Sequence, residues 1–159
     1  MRRKTKTELI GDLFAAVREN QLATDKMDDA AARGMGVNRT DARALDIIER
    51  LGPVTAGKLS IDAGLTSGAI TAVIDRLVEK GYVRRVADPD DRRHVLIEKT
   101  AKLEKVSKRF YGPLAERSLP LIDKFSNAEL EAIVRFLKIG TDLVEHRVAE
   151  LIEERAAKP

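Results

Sequence analysis

Apolar residues recur along the chain at helical spacing in some stretches and at strand spacing in others, and the changes mark out its elements. Leu9, Ile10, Leu13, Phe14 and Val17 form one helical stripe, predicting a helix over about residues 5–21. Residues 25–36 are alanine-rich and charged, with Gly34 and Gly36 close together, so the helix is expected to continue weakly and then break. Thr40-Asp41 reads as the cap of a second helix with Ala44, Leu45, Ile48 and Leu51 on its face, ended by Gly52-Pro53. Thr55 caps a short third helix over residues 56–62, where Leu59 and Ile61 are the large apolar residues, and Gly64 breaks it. Thr66 caps a fourth. Its buried face is Ile70, Val73, Ile74, Leu77 and Val78, Glu79 and Lys80 lie in its last turn, and Gly81 stops it.

Residues 82–87 then read as a strand, Asp88-Pro89-Asp90-Asp91 as a turn, and residues 94–98 as the returning strand. Helical spacing resumes after Thr100 with Leu103, Val106, Phe110 and Leu114. Pro113 should kink or restart this helix, and Pro120 with a Ser126-Asn127 cap marks a second break. From residue 128 to about 155 one long helix carries Leu130, Ile133, Val134, Leu137, Val144, Val148, Leu151 and Ile152. At ~1.5 Å per residue it would be about 40 Å long, outrunning a small domain, and its apolar stripe needs a partner.

Two helices joined by a tight glycine-containing turn and followed by a hairpin make a winged helix-turn-helix, in which the second helix is the reader. The predicted fold is mainly α with a small β-hairpin wing. Residues 1–36 and 101–159 would supply a helical dimerisation region, and residues 37–100 the DNA-binding lobe. Removing the apolar face of the reader helix leaves Ser67, Gly68, Ala69, Thr71, Ala72, Asp75 and Arg76 outward. Small residues at its start let the backbone approach a major groove; Ser67 and Thr71 offer hydrogen bonds, and Ala69 or the Thr71 methyl a surface for a thymine methyl. Free backbone N–H groups at the helix start suit a phosphate. Arg76 suits a phosphate contact or an ion pair with Asp75, Glu79 or a wing residue. Arg92 and Arg93 sit at the hairpin tip, with Arg84 and Arg85 on its first strand. If the terminal helices pair with a second copy, two readers would stand ~34–36 Å apart and require a palindromic site.

Composition narrows the options. With 159 residues, 43% apolar, the chain can bury a core, and it has no apolar run of membrane-spanning length. The basic start Met1-Arg2-Arg3-Lys4 is followed by a polar segment rather than a signal peptide, so the expected address is cytoplasmic. Those basic residues read as a solvated terminus ahead of a DNA-contacting arm. The absence of cysteine removes disulfides, thiolate catalysis and zinc-thiolate sites. Net charge is only +3, but residues 75–109 hold 11 Lys/Arg against 7 Asp/Glu, while the rest holds 18 against 19. The positive excess therefore lies in the helix-hairpin region, as a DNA-facing lobe requires. The two histidines, His94 and His146, are far apart, and Asp142 with His146 would give a metal only two ligands. No phosphate loop, nucleophile elbow or paired-carboxylate motif is present, so neither an enzyme nor a cofactor is expected.

Thr66-Ser67-Gly68-Ala69-Ile70-Thr71, Asp75-Arg76-Leu77, Lys80-Gly81-Tyr82-Val83-Arg84-Arg85 and Asp88-Pro89-Asp90-Asp91-Arg92-Arg93 together resemble the MarR family of winged-helix transcription regulators. The resemblance is closest over residues 40–100. It implies a homodimer built from the flanking helices, a short edge strand at Val54, and double-stranded DNA as partner, with repression as the usual outcome. Asp91 and Arg93 match the family's Asp-x-Arg wing element, which implies that Arg93 enters a minor groove while Asp91 buttresses an arginine nearby, with Arg92 on flanking phosphate. Ala72 stands where the family often has arginine, removing a guanine-reading group. Lacking cysteine, the chain falls outside the cysteine-switch subgroup. The resemblance also implies a small apolar effector between the dimer helices and the DNA lobe, for which Phe14, Met35, Phe110 and Tyr111 are the candidates. The competing reading is a winged-helix protein-interaction module without specific DNA binding.

Overall fold

The computed structural model describes the backbone of residues 2–91 and 93–156, and the side chains of residues 2–91 and 93–154. In chain order the elements are α1 (Lys6–Met35), α2 (Arg39–Leu51), β1 (Val54–Thr55), α3 (Ala56–Ala63), α4 (Ser67–Glu79), β2 (Val83–Ala87), β3 (Val95–Lys99), α5 (Ala101–Ile122) and α6 (Asn127–Ala156). The chain divides into two compact units, one up to Tyr111 and one from Gly112 onward, so α1 and the winged-helix lobe fall together.

In the first unit α1 opens with a reciprocal cap. The Thr5 side chain accepts the Glu8 N–H, and the Glu8 carboxylate accepts the Thr5 N–H at 2.7 Å. These bonds from Thr5 hold the Glu8 carboxyl below its ordinary range. Contrary to the expected weak stretch and break, α1 runs unbroken through Gly34 to Met35. Packing overrides propensity there: Ala31 and Ala32 are buried, and a Cβ on Gly34 would lie 2.4 Å from the tip of the Phe110 ring. The helix ends at Gly36, in the left-handed region at φ +67°. The cap of α2 is Asn38, not Thr40-Asp41; its side chain accepts the Asp41 N–H at 2.8 Å, placing both expected cap residues inside the first turn.

Val54 and Thr55 pair antiparallel with Ile97 and Leu96, so the hairpin becomes a three-stranded sheet ordered β1-β3-β2. Strand β2 begins at Val83 rather than Tyr82, because Tyr82 is still engaged in ending α4. Its N–H donates to Leu77 O, and that of Gly81 to Val78 O, a double bond pattern that requires Gly81 at φ +72°. His94 belongs to the turn, accepting from Asp88 and donating to Asp91, and β3 therefore starts at Val95. Ala44, Leu45, Ile48, Leu59, Ile70, Val73, Ile74, Leu77, Val83, Ile97 and Leu103 form the core between helices and sheet. Ile61, the other large apolar residue of α3, points to solvent.

Pro113 does not restart α5, which is helical throughout Ala101–Ile122. The break expected at Pro120 and the Ser126-Asn127 cap is present, two residues beyond the proline, and α6 begins at Asn127. Both prolines are exposed and lie seven residues apart on one side of the helix. Water can therefore take the carbonyls that lose their N–H partners, which lowers the usual cost. In the second unit α6 is a 30-residue helix, about 45 Å long at ~1.5 Å per residue. Its Ile133, Val134, Leu137, Val144, Val148, Leu151 and Ile152 are all exposed, as are Leu9, Ile10, Leu13, Phe14 and Val17 on α1. Among the described residues no helix is long and apolar enough to cross a membrane.

Candidate nucleic-acid interface

Helix α4 is built as a platform with one dry side and one wet side. Thr66 caps it by accepting the Ala69 N–H at 3.3 Å, and Ile70, Val73, Ile74 and Leu77 bury one face completely. The other face exposes Ser67, Gly68, Ala69, Thr71, Ala72 and Asp75, the positions expected outward, while Arg76 is half-buried. The Thr71 hydroxyl donates to Ser67 O at 2.9 Å, which leaves its oxygen able to accept. The first turn is therefore a strip without bulk, two hydroxyls beside a glycine and an alanine.

Among the described residues of this lobe, Arg76, Arg84, Arg85 and Arg93 are each held by a carboxylate. Arg76 pairs with none of the partners expected for it. Its Nε and Nη2 donate to Asp41 Oδ2 and Oδ1 on α2, at 3.1 and 2.5 Å. The Asp41 side chain is buried, and its hydrogen bond raises the Arg76 guanidinium above its ordinary pKa. Arg85 on β2 reaches back to Asp75 on α4 at 2.5 Å, tying wing and reader together, and Arg84 pairs across the sheet with Glu98. Arg84↔Glu98 is also the backbone register, so each residue is directly opposite its partner.

At the wing tip Arg93 is bound to Asp91 twice, from Nε at 3.0 Å and Nη2 at 2.8 Å, while its own N–H donates to Asp91 Oδ1 at 3.0 Å. The Asp88 carboxylate accepts the Asp90 N–H, bracing the preceding turn. The arginine that Asp91 buttresses is thus Arg93 itself. Its hydrogen bonds hold the Asp91 carboxyl below the ordinary carboxylate range and Arg93 above its own. Arg93 nonetheless keeps 88% of its side chain accessible, so it is oriented without being covered. Arg92 lies outside the described residues.

The four residues expected to line an effector pocket are not brought together within one chain. Phe110 lies against Gly34, and the Tyr111 hydroxyl donates to Asp28 at 2.9 Å, so both sit on the C-terminal half of α1 near Met35. Phe14 is 21 residues back from Met35 along the same helix, about 31 Å away at ~1.5 Å per residue. His146 pairs with Glu150, one turn further along α6, rather than with Asp142.

Two features of this lobe were not visible in the sequence. One is Asp41, whose partner lies 35 residues away and whose position looked like a cap. The other is a junction behind the reader helix. There the Tyr82 hydroxyl donates to Met35 O at 2.9 Å, while the Lys102 ammonium lies 5.0 Å over the Tyr82 ring and donates to Lys80 O at 2.6 Å. The ends of α1 and α4 and the start of α5 are joined there.

The MarR family model matches residues 37–95, which span α2 to the start of β3. An HTH-type transcriptional regulator of Bacillus subtilis, YcgE, is 35% identical, with 94% of this chain and 97% of that protein covered. Among solved structures, a MarR family protein from Bacillus stearothermophilus superimposes with a TM-score of 0.63 at 20% identity, covering 89% of this chain and 99% of that one. Streptococcus pneumoniae FabT in complex with DNA does so with a TM-score of 0.59 at 24% identity, covering 89% and 99%. Both share the fold. The relationship to the Bacillus regulator runs nearly end to end, and the matched lobe carries the reader helix and wing described above. The chain belongs to the MarR family, whose members are DNA-binding transcriptional regulators and not enzymes.

Proposed function

We propose that the chain is a homodimeric repressor that binds a palindromic operator in the cytoplasm and releases it on binding a small apolar ligand. The observation that carries this reading is the pairing of a side-chain-poor strip at the start of α4 with an exposed, oriented arginine at the wing tip. Ser67, Gly68, Ala69 and Thr71 would enter the major groove, where backbone N–H groups at the helix start meet phosphate and the two hydroxyls meet base edges. Arg93 would enter the adjacent minor groove, held by Asp91, and Arg84 would reach flanking phosphate. The exposed apolar stripes of α1 and α6 are the surface a second copy would cover. An effector near Met35, Phe110 and Tyr111 would act close to the Tyr82 junction, and so bear on the reader helix.

Selection of bound duplexes from a random library, run beside an Arg93→Ala variant, tests the reading. The expected result is an inverted repeat with half-sites ~34–36 Å apart. The variant should lose preference for A·T-rich flanks, and its salt dependence should become shallower by roughly one per wing. Binding without an enriched motif, or no DNA retained at low salt, would overturn it.

A further inference from the structure

We infer that Asp41 is a positioning residue for DNA binding, gripping Arg76 from α2 so that the outer edge of its guanidinium is aimed at a DNA phosphate. This rests on the proposal that the exposed face of α4 meets DNA.

A guanidinium is planar and rigid, so fixing two of its nitrogens fixes the direction of the third. Asp41 fixes Nε and Nη2, at 3.1 and 2.5 Å. The grip is itself anchored, because the Asp41 backbone N–H is bonded to the Asn38 cap and a carboxylate in the first turn of α2 is favoured by the helix dipole. Only 2% of the Asp41 side chain is accessible, against 42% of that of Arg76. The accessible part of Arg76 is therefore the side turned away from α2. Nη1 makes no hydrogen bond among the described residues, and the neighbouring acid, Asp75, is taken by Arg85. What is left exposed is a charged donor edge with a set direction, one helical turn beyond Ala72 toward the C-terminal end of α4.

The sign of one substitution separates positioning from bulk charge. Asp41→Asn keeps the shape and removes a negative charge beside the DNA face, so long-range electrostatics alone would tighten DNA binding. Positioning predicts the reverse, a loss of about 10- to 100-fold, the range of one charge-assisted hydrogen bond. Arg76→Lys keeps the charge but lacks the fork needed to hold Asp41 and a phosphate together, so it should weaken binding as much as Arg76→Gln. Each variant is measured on the duplex recovered by the wild-type selection, well below its own melting temperature, after circular dichroism has shown it folded. In the Arg76→Gln background Asp41→Asn should cost nothing further, since Asp41 acts through Arg76. A single Asp41→Asn variant that binds as tightly as wild type or tighter overturns the inference, and so does full affinity in Arg76→Lys. A loss that persists in the double variant assigns Asp41 a merely structural role. Wild-type protein that holds no duplex at low salt overturns the reading of the face itself.

Discussion

Replacing Val144 with aspartate should abolish the proposed dimer while leaving the DNA-binding lobe folded. Val144 lies near the middle of the apolar stripe on α6 and is 64% exposed in the single chain. In a monomer the new carboxylate would stand in water, and a surface change of that kind stays within about 0.5 kcal/mol. In a two-fold dimer with this stripe at its centre, the substitution is made twice. Burying one valine side chain is worth about 1.5–3 kcal/mol, so two copies lose about 3–6 kcal/mol before any cost of enclosing unpaired carboxylates. At ~1.4 kcal/mol per decade, the dissociation constant should rise roughly 10²- to 10⁴-fold. Sedimentation velocity over a dilution series reads this directly. His146→Asp, on the opposite side of the same helix, serves as control and should leave assembly unchanged. The variant should also bind a full palindrome no better than a half-site. If Val144→Asp dimerises with the wild-type constant, the stripe of α6 is not the interface.

Three further outcomes follow from the first unit. Tyr82→Phe removes only the hydroxyl that satisfies the Met35 carbonyl, at 2.9 Å; a net loss of about 1 kcal/mol should lower the melting temperature by roughly 2–4 °C. An unchanged melting temperature would mean that the carbonyl has another partner. Leu77→Ala opens a cavity at a fully buried position of α4 and should cost about 2.7–5 kcal/mol in urea denaturation; a cost under about 1 kcal/mol would place Leu77 outside the core. Burial, the bond to Asp28 and the nearby Asp46 and Glu49 push Tyr111 up to about 12, above its ordinary 10.0. Its contribution to stability is therefore complete below pH 10 and is lost as pH rises through about 12. Tyr111→Phe should flatten unfolding curves in that window, and an equally steep loss would assign the alkaline transition to other groups.

The parts of this protein that could be foreseen are those specified by neighbours in sequence. Thr66, Gly81 and the stripe from Ile70 to Leu77 announce the reader helix because a cap, a stop and a buried face are all local properties. The same locality explains the errors. Asp41 has the right type and place for a cap, and only a guanidinium 35 residues later reveals its use. Gly34 looked like a breaker until the Phe110 ring was found against it, filling the space a side chain would need. Pro113 looked like a point of restart because a sequence does not show that it would face water. Of the candidate interface, the residue types were evident beforehand. Which arginine Asp41, Asp75 and Glu98 would hold was not, since those three pairs cross between elements, whereas Asp91 and Arg93 share one turn.

The pairing of arginines with acids changes what an approaching duplex meets. Arg76, Arg84, Arg85 and Arg93 travel with Asp41, Glu98, Asp75 and Asp91. Beyond the screening length, about 8 Å at physiological salt, each couple is a short dipole and its field is nearly spent. These four couples therefore add little to the attraction of distant DNA, which is left to the net positive excess of residues 75–109. Within hydrogen-bond distance of a duplex the same couples would act as pre-aimed donors. On the proposed interface, selectivity would then reside in how slowly the protein leaves a site whose phosphates and grooves fit.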